Sequence, residues 1–539
     1  MNRLRLHAAI LLCIFVSTAA SAQRGTLVTA IKQDAPAPVP YLGPGTTGNH
    51  DVMDQLFLRL ATLGPRSVTV GDDALVPELA RRWFRQDSVT VDFELDPRAR
   101  WHDGMPVTSR DVVFAWQLIR TPSLGVNQAS FELIESVSAV DGRVVRVRFR
   151  RPASEQVYVA GFQLQPLPAH LLGRIPADSL PTSAFIRSPV GNGPFRFVRR
   201  DPGVSIELAA VPDFFLGPPG LQRVVFRVVA SPDAQVNLLL SGELDVMSDV
   251  PANALQRVQR LAAQRMVNAP GNFVTYLLFN SRSGDGSAAP HPVLGDQRVR
   301  QALALAIDRE RLALTTFGPG VQTPGALRSQ AWYWLGSSRV HHAGNLARAR
   351  SLLAAAGWQV GSNGIRERDG VPLELTIIYP VQAATFAAIA VQVEQMWSRA
   401  GVRTVLEPVD GAVWFQRRRA GAFEVDIAGV NQDPSPSSLV QSWSCASAAQ
   451  PGSGNVGRWC DAEFDRRLKS AETSDNPGAA FQRALDRMSE WQPAVVVGAP
   501  INRVSVHRRY DNVIVRPSRA WSALWQWRIR PGAELPRDR

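Results

Sequence analysis

Lysine is all but missing from this sequence: Lys32 and Lys469 are the only two, although Lys and Arg together number 59 in 539 residues. The positive charge is arginine charge, scattered among Asp and Glu, and Arg417-Arg418-Arg419 is its longest run. Without a basic tract, a Gly/Arg repeat or an Arg-Ser repeat, the formal +12 outlines no nucleic-acid surface, and no nucleic-acid partner is expected. Cysteine is scarce as well, three in all, which excludes a disulfide-dense scaffold. No later apolar run reaches the roughly 20 residues that span a bilayer. Neither G-x-S-x-G nor H-E-x-x-H occurs, so a secreted hydrolase, the reading from a different class, has no visible nucleophile–base constellation. His341-His342 is the nearest thing to a histidine cluster, beside an Ala-Gly-Asn loop, and no metal or other cofactor is expected.

What is present begins with an export signal. "MNRLRL" is a basic start, "HAAILLCIFVSTAA" an apolar stretch, and Ala20-Ser21-Ala22 a small-residue cleavage site. Removal of residues 1–22 takes Arg3 and Arg5 with it and leaves a charge of +10. Cys13 follows Leu11-Leu12 and lacks the small-residue context of a lipidated cysteine. The expected product is a soluble exported chain, periplasmic, starting near Gln23. Its length exceeds one ordinary core, so two or three domains are expected. Two cysteines remain, Cys445 and Cys460, an even pair in an oxidising compartment. A disulfide is the leading reading; two free thiols or half a metal site are the alternatives, and no Cys-x-x-Cys or His-x-x-Cys spacing supports the metal.

"TLVTAI" at 26–31 is a strand, followed by the Pro/Gly-rich "DAPAPVPYLGPGTTG". Gly43-x-Gly45-x-x-Gly48 matches the dinucleotide fingerprint letter for letter, but prolines fill the place of the required tight turn. It reads instead as a loop that ends in an N-cap at Asn49. "VTVDFEL" alternates, with Val89, Val91, Phe93 and Leu95 on one face. Thr108 caps the next helix, with Asp111 at N3 and Val112, Trp116 and Ile119 at helical spacing. "WHDGMP" between them is a corner in which Gly104 permits the turn and Pro106 stiffens it, so His102 and Asp103 read as scaffold. In "VRQALALAIDRERLA", Val299, Leu303, Ala306 and Ile307 share a helical face, with Asp308 and the arginines toward the exposed end. In "NLARARSLLAAAGW", Leu346, Ala349, Leu352 and Leu353 form a stripe that Gly357 terminates.

The run "VPELARRW…VTVDFELDPRARWHDGMPVTSRDVVFAWQLI" closely resembles the family-5 extracellular solute-binding proteins, the peptide- and nickel-type binding components of ABC importers. "GNGPFRFVRRDPGVSIELAAVPDFF", "VVFRVVASPDAQVNLLLSGELDV", "DQRVRQALALAIDRERLA" and "NVGRWCDAEFDRRLKSAE" are similar, in order, to that family's later motifs. The resemblance implies an α/β fold: the two-lobed periplasmic-binding-protein fold with a hinge and an additional domain. Lobe I would be discontinuous (24–58, 186–268 and 501–539), with domain II at 59–185 and lobe III at 269–500. It implies capture of a small ligand, foremost a peptide, by hinge closure, and delivery by a monomer to a membrane ABC permease; no enzymatic step is expected. An oligosaccharide, nickel chelate, opine or other small solute is the alternative cargo, and the fourteen tryptophans would suit stacking on sugars.

The resemblance also implies ligand-binding residues. "VDIAGVNQDPSPSSLVQSW" sets Gly429 on the family's glycine and Asp433 on the carboxylate that holds a peptide's α-ammonium, while an Asp-Pro turn suits the same letters. Val430 stands where the family usually has Trp, and Ile427 where some oligopeptide binders have Arg. Asn431 and Tyr379 are the further contact candidates.

Overall fold

The computed structural model describes residues 25–64, 68–126, 131–270, 273–283, 289–319, 321, 344–431, 435–450, 453–474, 476–498, 501–516 and 519–538. The export segment, His341-His342 and Asp433 lie outside them.

Every residue of the first strand, Thr26–Ile31, is buried. Leu27 and Ile31 enter one apolar cluster while Val28 and Ala30 enter another on the opposite face, as a two-residue period requires. Parallel pairing with Arg223–Val228 on one side and Val246–Met247 on the other sets this strand inside a seven-stranded sheet. The order is Gln264–Pro270, Ile501–His507, Val246–Met247, Thr26–Ile31, Arg223–Val228, Ser205–Ala210, Phe195–Asp201.

Beside it lies an antiparallel four-stranded sheet, ordered Ala80–Asp87, Thr90–Leu95, Val144–Phe149, Ile134–Ala139. Val91, Phe93 and Leu95 point inward as the alternation predicts. Asp92 on the other face is buried too, and is matched there by the Arg146 guanidinium at 2.7 and 2.8 Å. The helix Ser109–Ile119 begins with a complete capping box from Thr108 and Asp111. Residues of this sheet and of the large one belong to one continuous apolar cluster.

A separate five-stranded sheet runs Arg403–Val409, Glu374–Pro380, Val425–Asn431, Phe273–Phe279, Ala494–Gly498. Its strands again feed two clusters: Leu277, Ile377 and Ile427 one way, Tyr276, Ile378 and Ala428 the other. Helices including Gln297–Leu305 and Ala384–Ser398 close the first face, and Ala462–Glu472 and Pro477–Trp491 the second. The chain passes between the large and the five-stranded sheets at two places, from Pro270 to Phe273 and from Gly498 to Ile501. Among the described residues no helix is long and apolar enough to cross a membrane.

Two local expectations are corrected. Asn49 is not an N-cap: the helix is Thr47–Leu56, capped by Thr46, whose hydroxyl accepts from the Asn49 N–H at 3.3 Å. Gly48 is what admits the extra turn, since a Cβ there would fall 2.1 Å from the Gln33 carbonyl oxygen. The helix read through "VRQALALAIDRERLA" is two, Gln297–Leu305 and Arg309–Phe317, with Asp308 capping the second. Its first residue, Arg309, is buried rather than exposed and donates to the Gln492 side chain at 3.2 Å.

Candidate functional site

The resemblance directs attention to the strand Val425–Asn431, which lies between Phe273–Phe279 and Glu374–Pro380. Gly429 stands opposite Thr275, and Asn431 opposite Phe273, at the end of the strand nearest the passage from Pro270 to Phe273. A Cβ at Gly429 would come 2.2 Å from the Phe273 ring, so the glycine lets that ring lie across the strand. Val430 packs at the edge of the adjoining cluster, and Tyr379 is buried in the opposite one, at 7% exposure.

Beyond this strand the helix Pro436–Trp443 begins, and a carboxylate from the other half of the molecule meets it. Glu155 accepts from the Ser437 N–H at 3.3 Å and pairs with the Ser437 hydroxyl. Arg151 pairs with Glu472 nearby. Glu155 also opens the helical run 156–163, whose last residue, Gln163, lines a cavity. One short segment thus touches the helix Pro436–Trp443 at one end and lines this cavity at the other.

The cavity holds about 190 Å³. Its walls are the proline-rich loop from Ala37 to Gly45, the first turns of Thr47–Leu56, and Phe131, Gln163 and Gln165. The loop is pinned. Asn49 donates to the Pro44 carbonyl at 2.7 Å; the Tyr41 hydroxyl donates to the Gln163 carbonyl at 3.0 Å and accepts from the Gln165 N–H. The literal G-x-G-x-x-G is therefore part of a cavity wall.

Arg59 is the charged wall residue, 8% exposed, lying 4.2 Å over the Phe162 ring and donating to the Phe162 carbonyl. Its neighbour Asp54 is bound by Arg519, which approaches both carboxylate oxygens at 2.6 Å, while Arg59 stands 3.7 Å off. Burial raises the cost of ionising Asp54, but the Arg519 guanidinium outweighs it and holds the carboxyl below its ordinary range. Asp51 differs: burial and the Asp54 charge push it up to about 8. Burial and Arg519 pull Arg59 down to about 10, which leaves it a cation at neutral pH.

The histidine corner works as scaffold. His102 donates from Nε2 to the Gly193 carbonyl at 3.0 Å and accepts the Gly191 N–H at Nδ1. Asp103 turns instead to the Met105 N–H and to His170. Burial pushes His102 down to about 4, so it is neutral in the fold. Six tryptophans, Trp101, Trp358, Trp397, Trp459, Trp521 and Trp527, are fully buried and are core rather than platforms. Cys445 and Cys460 are joined as a disulfide with Cα atoms 4.5 Å apart, tying the helix Cys445–Ala448 to the start of Ala462–Glu472. Among the described residues no group of three His, Cys, Asp or Glu side chains is arranged to hold a metal.

The family described as bacterial extracellular solute-binding proteins, family 5, middle, matches residues 74–450. A Brucella ovis protein that carries an ABC-transporter peptide-binding name is 28% identical over 428 residues, 78% of each chain. The oligopeptide-binding protein AppA of Bacillus subtilis, solved with a nonapeptide, is similar in structure with a TM-score of 0.73 at 21% identity, over 94% of this chain and 99% of its own. NikZ of Campylobacter jejuni, solved with a nickel–L-histidine complex, gives a TM-score of 0.74 at 20% identity, over 93% and 99%. At such identities the structural likeness speaks for the fold.

Proposed function

The chain belongs to the family-5 bacterial extracellular solute-binding proteins, and from that premise we propose that it captures a peptide between its two sheet-bearing halves and presents it to a membrane ABC permease. One observation carries the reading: the halves are joined by two short passages, at 270–273 and 498–501, and meet again at Glu155–Ser437 and Arg151–Glu472. Two connections and a distant contact are what hinge closure needs, because few backbone torsions must change to part the faces. Ligand binding between the faces would then stabilise the closed form. In this reading the discontinuous lobe I and domain II expected above, which share one apolar cluster, move together against lobe III.

In this reading Asp433, just past the Gly429–Asn431 strand end, holds the peptide's α-ammonium, and Asn431 contributes a backbone contact in the manner of an added strand. Tyr379 acts from beneath as packing. The chain is exported with cleavage after Ala22, works as a monomer in the periplasm, and performs no covalent chemistry. Isothermal calorimetry on Asp433→Ala tests the assignment. Truncating one partner of a hydrogen-bonded buried charge pair costs about 2–5 kcal/mol, so free peptides should bind roughly 30-fold or more weaker. N-acetylated peptides should bind the parent poorly and lose little further. Equal affinity of parent and variant for free peptides would make Asp433 a turn residue only.

A further inference from the structure

Arg59 stands in an apolar run, Leu58 and Leu60 on either side, yet the fold spends little on pairing it. Of its five side-chain donors one meets the Phe162 carbonyl; among the described residues Nε has no partner, and the Asp54 carboxylate is 3.7 Å away and bound by Arg519. Arg516 adds a third guanidinium, bonded to the Leu63 carbonyl rather than to an acid. Asp51, the further carboxyl on the same helix, is neutral over most of the neutral range. Glu78 is the other acid of the cluster: its carboxylate accepts the Arg59 backbone N–H at 2.9 Å and favours the charged form of Arg59, Arg516 and Arg519. Three guanidinium groups therefore share two carboxylates, Asp54 and Glu78, and positive charge is in excess beside the cavity. A buried cation left under-bonded costs free energy that an incoming anion would recover. The other polar wall groups are already bonded: Tyr41, Asn49 and Gln165 donate to backbone carbonyls, and the Gln163 amide donates to the Tyr158 hydroxyl. The cavity is open to solvent at its rim, where Pro44, Gly45 and His50 are exposed. At about 190 Å³ it falls below the roughly 300–1,000 Å³ of a whole-ligand pocket, and suits one side chain or terminal group.

We propose that this cavity receives a carboxylate of the bound solute, with Arg59 as the group that selects it, so that the protein prefers acidic peptides. The proposal rests on the peptide-binding reading above and names its ligand class. The carboxylate has two sources, an Asp or Glu side chain or the peptide's own C-terminus.

Calorimetry on the exported, unfolded-and-refolded protein freed of carried-over ligand separates them. The probes are Ala-Glu-Ala, Ala-Gln-Ala and the C-terminal amide of each, with glutarate as a free dianion. A side-chain source predicts that Ala-Gln-Ala binds about 30-fold or more weaker than Ala-Glu-Ala, with amidation indifferent; a terminal source predicts the reverse. Arg59→Gln should erase whichever difference appears, and Arg59→Lys should restore part of it. Tight, equal binding of all four peptides would overturn the carboxylate proposal and leave the peptide reading standing. If no peptide binds but glutarate raises the melting temperature of the parent and not of Arg59→Gln, the cavity assignment survives and the peptide reading falls. If glutarate also does nothing, both fall. The comparison among peptides needs only the parent protein, so failure of a variant to fold does not protect the idea.

Discussion

The two halves of the molecule bury carboxylates by different means. In the seven-stranded half Asp245, with no exposed side chain, accepts from the Val28 N–H at 2.9 Å and from Arg509 at 3.1 Å, and is also bound by Arg537. Arg509 then reaches Asp538, which accepts the Thr26 N–H across 512 positions of sequence. In the five-stranded half Asp426 is equally buried, but its partners are local: Arg418 and the Trp414 indole, each at 2.7 Å, with Tyr276 behind Arg418. The difference follows the path of the chain. The large sheet is assembled from residues 26–31, 195–270 and 501–507, so its closure joins remote segments, whereas the smaller sheet lies within the single stretch 273–498. Joining distant segments costs loop-closure entropy, and charged bonds that exist only when both ends are home make that closure cooperative. A continuous half needs a pin only where its own loops are long, and there it has Cys445–Cys460.

The sharpest way to break this comparison is to remove Asp245. Taking one partner from a buried ion network leaves the others uncompensated and costs about 3–5 kcal/mol. The chain is large enough for its halves to melt separately. Asp245→Ala should therefore lower the stability of the seven-stranded half by that amount and leave the five-stranded half in place. Hydrogen exchange read by mass spectrometry should show lost protection in Thr26–Ile31 and Arg223–Val228, with Phe273–Phe279 unchanged. Loss spread evenly over both sheets would mean that the halves are one cooperative unit.

The disulfide is the counterpart in the other half. A loop of about 15 residues closed by a disulfide is worth roughly 3 kcal/mol in the chain-entropy account. Reduction of the native protein, or the double substitution Cys445→Ser with Cys460→Ser, should lower the melting of the five-stranded half alone. Free-thiol labelling of the unreduced protein should find neither cysteine. An unchanged melting profile after reduction would put the burden of that loop on Asn455, whose amide already bonds the Ser444 and Trp459 carbonyls.

The same contrast decides what could be read from the letters. Interactions closed within a few residues were legible: the alternation of Val91, Phe93 and Leu95, the Thr108–Asp111 capping box, and the cysteine pair 15 positions apart. The Asn49 cap and the unbroken helix through Asp308 misread local detail, because a close approach to Gln33 and a buried pairing with Gln492 settled the boundaries. The Asp245–Arg509–Asp538 network left no local trace, since Asp245 lies 264 positions from Arg509 and Asp538 meets the Thr26 N–H across 512. The cavity was hidden for the same reason. Its walls come from residues 37–59 and 126–165, and its one available signal was an arginine standing in the apolar run "QLFLRLATL".

The smallest effect concerns the place where the halves touch. Glu155 is 5% exposed, and its carboxylate accepts from the backbone N–H and the hydroxyl of Ser437, at the start of the helix that follows Asp433 in sequence. A carboxylate at a helix start meets unpaired N–H groups and the positive end of the helix dipole, so the contact is favourable when closed. When the faces part, both partners regain water, and the net value of such a bond is about 1 kcal/mol. Glu155→Ala should thus raise the open-to-closed ratio about five-fold by that value, seen as a larger radius of gyration in small-angle scattering. Glu155→Gln should fall between, because it keeps an acceptor without the charge. Peptide affinity should weaken by at most the same factor, since ligand must now supply the closure energy that the contact supplied. Arg151→Ala should shift the ratio less, because the Arg151 side chain is half exposed and its pairing with Glu472 is screened by salt. If Glu155→Ala leaves scattering and affinity unchanged while Asp433→Ala abolishes binding, ligand alone closes the halves and Ser437 is merely a neighbour. If Glu155→Ala instead lowers the stability of one half, the contact belongs to that half's own fold and the boundary between the two must be redrawn.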